Sequence, residues 1–212
     1  MSLDSRRSCH PCEWFDPAAI PTGRLAKQWQ AAKPFPHVVL DDLLTSDGFH
    51  RLRAAVSQEP HYSNIGPLYE MMGSADQPEQ PAIQEFNAFL SGPAVCEMIA
   101  RITGESPSEA HVRSFVYLPG HYLLPHTDDD PVHRRCVAII GYLSDEGACT
   151  GGELQLYECI FEEDQVEQTR AAVSVRPRPN RFVLMEVSKA SLHRVMEIEQ
   201  GARVSVAGWF YL

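Results

Sequence analysis

The 212-residue sequence predicts a mostly β fold with N-terminal helices, arranged as a double-stranded β-helix, or jelly roll. Two observations carry this. Helical periodicities are confined to the first half of the chain, while after Gly104 eight short strand-like runs alternate with turn signals to the C-terminus. Helices followed by a series of strands suggest an antiparallel core buttressed by helices, and eight strands suit a jelly roll. No repeat or low-complexity linker interrupts the sequence. Residues 1–212 are therefore expected to form one domain, with 1–104 as helical support plus a leading strand and 105–212 as the jelly-roll core.

The elements follow in order. Residues 1–16 are polar and irregular. A short helix is expected within 18–32 around Leu25 and Trp29, ended by Pro34, and residues 36–40 read as a strand. Thr45 and Ser46 can cap a helix that places Phe49, Leu52 and Val56 on one face. Residues 60–81 hold four prolines and two glycines without a clear period, which predicts a long loop, either a lid or a surface excursion. Ile83, Phe86 and Leu90 mark another helix. Val95, Ile99 and Ile102 mark the next, with Pro93 near its start and Gly104 past its end. The strands are expected at 111–118, 122–124, 135–143, 153–157, 171–175, 181–187, 193–198 and 203–211, with 161–170 as an acidic, solvated loop.

Composition narrows the class. The chain is 44% apolar and 22% charged, enough to bury a sizeable interior. Eighteen Lys and Arg face 28 Asp and Glu, and no basic stripe stands out, so a nucleic-acid surface is not expected, although a basic peptide partner is compatible. The longest apolar run, Val137 to Leu143, is too short to span a bilayer, and no signal-peptide core follows Arg6 and Arg7. These features predict a cytoplasmic protein without a membrane partner. The six cysteines then read as reduced thiols. Cys9-His10-Pro11-Cys12 looks like half of a zinc knuckle, but no second C-x-x-C or C-x-x-H answers it.

Chemistry concentrates in Tyr117 to Asp130, Y-L-P-G-H-Y-L-L-P-H-T-D-D-D. In an extended strand, residues i and i+2 share a face, so His126 and Asp128 would project an imidazole and a carboxylate side by side. Such a pair can supply two ligands of a 2-His-1-carboxylate facial triad with open positions on Fe(II). A lone H-x-D is common by chance; what strengthens it lies downstream. His193 offers a second imidazole if the fold returns its strand to the first. Arg203 and Ser205 share a strand face and present a forked cation and a hydroxyl, suited to a carboxylate. Gly151-Gly152 permits a tight turn at a barrel mouth. Asp129 and Asp130 read as solvent-facing or as supports for a ligand, and Arg135 as either a substrate contact or a strand-edge charge.

Together these stretches resemble the Fe(II)- and 2-oxoglutarate-dependent oxygenases, in their prolyl-hydroxylase-like group. The likeness runs through Tyr117-Leu118-Pro119-Gly120, His126-x-Asp128, Tyr142-Leu143, Gly151-Gly152-Glu153-Leu154, Ser191-x-His193-x-Val195 and Arg203-x-Ser205-x-x-Gly208-Trp209-Phe210, over roughly 111–212. Tyr122-Leu123-Leu124-x-His126 with the closing Gly-Trp-Phe looks most like the branch that hydroxylates a proline of a ribosomal protein. The resemblance implies His126, Asp128 and His193 as iron ligands. It implies Arg203, assisted by Ser205, as the anchor of the distal carboxylate of 2-oxoglutarate, with Tyr142 and Tyr117 lining the cosubstrate pocket. Collagen-type animal enzymes carry lysine where this chain has Arg203. The implied cofactor set is Fe(II), 2-oxoglutarate and O₂, with ascorbate as a reductant. The implied reaction is hydroxylation of a prolyl residue in a protein or peptide, coupled to decarboxylation of 2-oxoglutarate to succinate. Hydroxylation of a free amino acid or other small molecule is the first rival, and a metal-free binding module is the second. The oligomeric state is left open.

Overall fold

The computed structural model describes residues 14–130, 132–163 and 165–212. The Cys9–Cys12 pair lies outside these residues. In chain order the elements are α1 (Thr22–Ala31), β1 (His37–Leu40), α2 (Ser46–Gln58), β2 (Tyr62–Gly66), β3 (Tyr69–Gly73), α3 (Pro81–Leu90), α4 (Pro93–Thr103), β4 (Glu109–Tyr117), β5 (Tyr122–His126), β6 (Arg135–Tyr142), β7 (Cys149–Gly151), β8 (Leu154–Glu162), β9 (Gln165–Val175), β10 (Phe182–Glu186), β11 (His193–Val195), β12 (Ile198–Gly201) and β13 (Arg203–Tyr211). Helix ends follow local chemistry. Thr45 accepts the Gly48 amide at the start of α2, and Gly104 closes α4 in a left-handed conformation.

The long antiparallel sheet runs β1-β10-β6-β13-β4-β3-β5-β11-β8-β9 and curls into a jelly roll, with β2 hydrogen-bonded to the free side of β3. The five strands ending at β4 form one half, and the four beginning at β5 form the other. β3 joins them, pairing Met72 with Val116 of β4 and Tyr69 with Leu123 of β5. A separate ribbon of β7 and β12 caps one end.

The core has two layers. Alternate residues of β6 and β10 (Val137, Ile139, Phe182, Leu184) pack outward against Leu52, Phe86 and Ile99 of the helices. The intervening ones (Ala138, Ile140, Val183, Met185) pack inward against Leu154, Leu156 and Val175 of the opposite half. Burial on both faces is why Val137 to Leu143 reads as an unbroken apolar run instead of an alternating one. Gly141 is required within it, because a Cβ there would lie 2.2 Å from the Phe182 ring.

Several expectations change. Residues 60–81 are not a structureless loop: they hold the β2–β3 hairpin, with Pro67 and Leu68 in the turn and Gly66 paired to Tyr69. The hairpin was hidden because β2 is largely exposed and so carries no burial period. Residues 161–170 are likewise the distal part of the β8–β9 hairpin, with Glu163 in its turn at positive φ. Nearly every residue of β9 is exposed, so backbone hydrogen bonds build this arm without an apolar signal. The expected strand at 193–198 is two strands, because the chain leaves β5 and β8 after Val195 and pairs with β7 from Ile198. Cys149–Gly151 is an additional short strand, and β8 runs on to Glu162. The cysteines among the described residues are free thiols.

Glu59 ties α2 to α3. Its carboxylate is 5% exposed and accepts the amides of Glu79 and Gln80, both at 2.8 Å, just before α3 begins. Glu59→Ala would leave two part-buried donors without their carboxylate and should cost about 1–2 kcal/mol. A lowered urea midpoint with an unchanged m-value is the expected result; an unaltered midpoint would show that water replaces the carboxylate.

Candidate metal centre and anion pocket

Strand register builds the centre. His193 of β11 stands directly across from His126 of β5, and their ring centroids are 4.4 Å apart. Asp128 follows two residues after His126, just past the end of β5. Its Oδ1 lies 3.6 Å from His126 Nε2 and its Oδ2 lies 3.6 Å from His193 Nε2. One ligand atom from each residue falls within 4.8 Å of the others. Each imidazole donates from Nδ1 to a backbone carbonyl two residues earlier, His126 to Leu124 and His193 to Ser191, both at 2.9 Å. Those bonds fix the tautomer and leave both Nε2 lone pairs facing Asp128. Burial, aided by His193, pushes the His126 pKa down against the opposing pull of Asp128. The neutral imidazole that a metal needs is therefore favoured.

The donor set is two nitrogens and one carboxylate oxygen on a partly enclosed wall. It fits Fe(II) with coordination positions left open, as a facial triad requires.

Arg203 lies in the same cavity, which is about 330 Å³. Register again does the assembly: Arg203 pairs with Tyr117 on one neighbouring strand, and Ser205 pairs with Tyr142 on the other. The guanidinium sits 4.9 Å from the Tyr117 ring centroid and 5.0 Å from that of Tyr142. It is 2% exposed, and its Nε and Nη1 have no hydrogen-bond partner. A buried fork with unpaired donors is poised for a carboxylate. Ser205 is also buried and lines the cavity. Tyr117 lines it too, with its hydroxyl donating to Met71 Sδ at 3.2 Å. Tyr142 is fully buried beside Arg203. Burial pushes both phenol pKa values up, and the Arg203 charge opposes this.

The cavity holds further residues. Arg135 lies over the Trp209 ring at 3.7 Å, and Arg135 Nε and Trp209 Nε1 are both buried without partners. Arg135 is thus a cavity residue, while Phe210 is fully buried in the core. Tyr69 and Met71 arrive from β3. No motif pointed to these two, because their place depends on how β3 bridges the halves. Asp129 faces solvent. Asp130 accepts the amides of Val132 and His133 and pairs with the His133 ring at 2.6 Å, so it organises its own turn and supports no metal ligand.

Comparison with known proteins agrees with this architecture. The profile of the 2OG-Fe(II) oxygenase superfamily matches residues 112–211. The chain is 27% identical over 195 residues to a mouse protein named prolyl 3-hydroxylase OGFOD1. That alignment covers 84% of this chain and 33% of the relative, so the chain spans about a third of the length of the curated relative it matches. A Pseudomonas putida prolyl-4-hydroxylase shares the fold with a TM-score of 0.66 at 18% identity, over 90% of this chain and 98% of the other. A Trichoplax adhaerens prolyl hydroxylase, solved with a peptide fragment of the hypoxia inducible factor oxygen degradation domain, gives 0.62 at 15% identity, over 90% and 88%. A Burkholderia pseudomallei oxidoreductase of the 2OG-Fe(II) oxygenase family gives 0.67 at 13%, over 91% and 92%. The profile match over residues 112–211, the shared fold and the ligand cluster that the fold assembles agree with one another, and all three make the chain similar to the 2OG-Fe(II) oxygenase superfamily, with prolyl hydroxylases among the relatives it resembles.

Proposed function

We propose that this chain is an Fe(II)- and 2-oxoglutarate-dependent hydroxylase acting on a prolyl residue of a protein or peptide. The observation that carries the reading is one cavity holding both the His126, Asp128 and His193 cluster and the unpaired guanidinium of Arg203. His126 and His193 would hold the iron through Nε2, and Asp128 through its carboxylate. Arg203 would take the distal carboxylate of 2-oxoglutarate through its guanidinium, with Ser205 beside it. When bound, iron, 2-oxoglutarate and O₂ supply the oxidation, coupled to release of succinate and CO₂. Ascorbate is the reductant to include in assays.

The chain's own residues orient and exclude. The rings of Tyr117 and Tyr142 flank the guanidinium and fix where its fork points. Leu123, Leu154, Met185 and Val195 give the cavity dry walls that strengthen the charge pairing inside. Arg135 and Trp209 also line the cavity, with the guanidinium stacked on the indole, and would contact a bound peptide. Two features support a polypeptide substrate. The nearby hairpin exposes Ile65 at 71%, Leu68 and Tyr69, a surface with more contact area than a free amino acid could use. The chain also resembles a relative named as a prolyl hydroxylase. We further assign the helical layer and the jelly roll to one dioxygenase domain, on the strength of their shared core. No helix among the described residues is long and apolar enough to cross a membrane.

Anaerobic titration with Fe(II) and 2-oxoglutarate tests the centre. Wild type should develop a weak visible charge-transfer band that His126→Ala abolishes. Arg203→Ala should need about a hundredfold more 2-oxoglutarate, the loss expected for two charge-assisted hydrogen bonds. A folded wild type without a band would sink the oxygenase reading in favour of a metal-free module.

Substrate class is tested by mass spectrometry on a proline-containing peptide and on free proline. The peptide should gain one oxygen atom, and Arg135→Ala should raise its KM about tenfold or more. Turnover of free proline alone would transfer the assignment to the small-molecule class.

A further inference from the structure

Arg203 has a back wall as well as a front. Its side chain leaves β13 at the end where the ribbon of β7 and β12 meets the barrel. Neither Gly152 nor Ile198 lines the cavity, whereas Arg203 does, so both stand behind the arginine. Gly152 has φ of +73°, and a Cβ built on it would lie 2.4 Å from Ile198 Cδ1 and 3.2 Å from Arg203 Cδ. The arginine stem therefore rests directly on the bare Cα of Gly152, beside the end of the Ile198 side chain.

That wall is anchored through its backbone. Ile198 is fully buried. Its backbone is held on both sides, with its amide donating to His121 O at 3.0 Å and its carbonyl accepting the Gly120 amide at 2.8 Å. It also pairs with Gly151 across the ribbon. Gly152 donates to Glu197 O at 3.2 Å. Ile198 is thus anchored through its backbone, with its side chain enclosed. With Tyr117 and Tyr142 flanking the guanidinium, the contact with Gly152 and Ile198 sets how far the fork can withdraw from the metal ligands.

We infer that Gly152 and Ile198 are the positioning residues that set the depth of the anion pocket, and so select the chain length of the 2-oxo diacid cosubstrate. The inference rests on the proposed use of Arg203 as carboxylate anchor. A methyl group on Gly152 presses Ile198 Cδ1 and the arginine stem toward the cavity and shortens the pocket. Removing Cδ1 from Ile198 opens space behind the stem and lengthens it.

Calorimetric titration of the Mn(II)-loaded protein tests this without turnover, using oxaloacetate (four carbons), 2-oxoglutarate (five) and 2-oxoadipate (six). In Gly152→Ala, 2-oxoglutarate should weaken by about tenfold or more, the scale of one disturbed charge-assisted hydrogen bond. Oxaloacetate should weaken much less, so the five-to-four preference falls. Ile198→Val alone should move preference toward 2-oxoadipate. Combined with Gly152→Ala, it should restore most of the 2-oxoglutarate affinity, because the methyl that the new Cβ meets is gone. Strain at positive φ in Gly152→Ala lowers folding stability, but it acts on all three ligands alike and leaves the ratios unmoved. Equal loss for all three acids, or an absence of rescue, overturns the inference. Ile198→Val still decides it if Gly152→Ala fails to fold, since an unchanged length preference in that variant also overturns it. A wild type that binds Mn(II) but none of the three acids would instead remove the reading of Arg203 on which the inference stands.

Discussion

A guanidinium buried without a counter-ion is costly, and much of the barrel interior can be understood as the means by which this chain carries that cost at Arg203. Two tyrosine faces offer partial negative charge on its flanks, and the neighbouring strands deliver them by register: Tyr117 across from Arg203 itself, and Tyr142 across from Ser205. These contacts are weaker than a carboxylate would be. A ligand that supplies its own negative charge, such as a diacid, would offset the cost that remains.

The metal centre follows a different logic. Its three donors come from sites adjacent in the sheet yet distant in sequence, and the antiparallel pairing of β5 with β11 joins them. Asp128 sits beyond the strand end, where the backbone turns and its carboxylate can reach both imidazoles. The donor cluster and the guanidinium then occupy one cavity because β13 lies beside β4, while β3 carries the sheet from β4 across to β5. Topology thus sets the separation that a two-ended cosubstrate must span.

Much of this was legible in the sequence, for identifiable reasons. His126 and Asp128 were readable as a closely spaced imidazole and carboxylate, although β5 ends at His126 and it is the turn beyond it, not the strand's period of two, that brings Asp128 to the same side. His193 and Arg203 were readable because residue type and order narrowed the choices. The helices were readable because one face of each is buried. What stayed hidden was whatever depends on curvature or lacks a buried face. Tyr69 and Met71 enter the cavity only through the bridging position of β3, and the arm of β8 and β9 is stabilised by backbone pairing with almost no apolar residue turned inward. Arg135 could be read two ways until the partner Trp209 was seen beneath it. Tyr142 could be placed beside Arg203 only once the pairing of Ser205 with Tyr142 fixed the register.

The imidazoles of His126 and His193 are each steadied by a peptide carbonyl of their own strand, with no auxiliary carboxylate or amide side chain in that role. Main-chain carbonyls do not mutate. The basicity and tilt of these two rings are therefore insulated from point substitution at neighbouring positions and remain constant while the surrounding walls diversify. In evolutionary terms, the centre separates two tasks: the oxidising machinery is written into the backbone, and selectivity is written into side chains that are free to change.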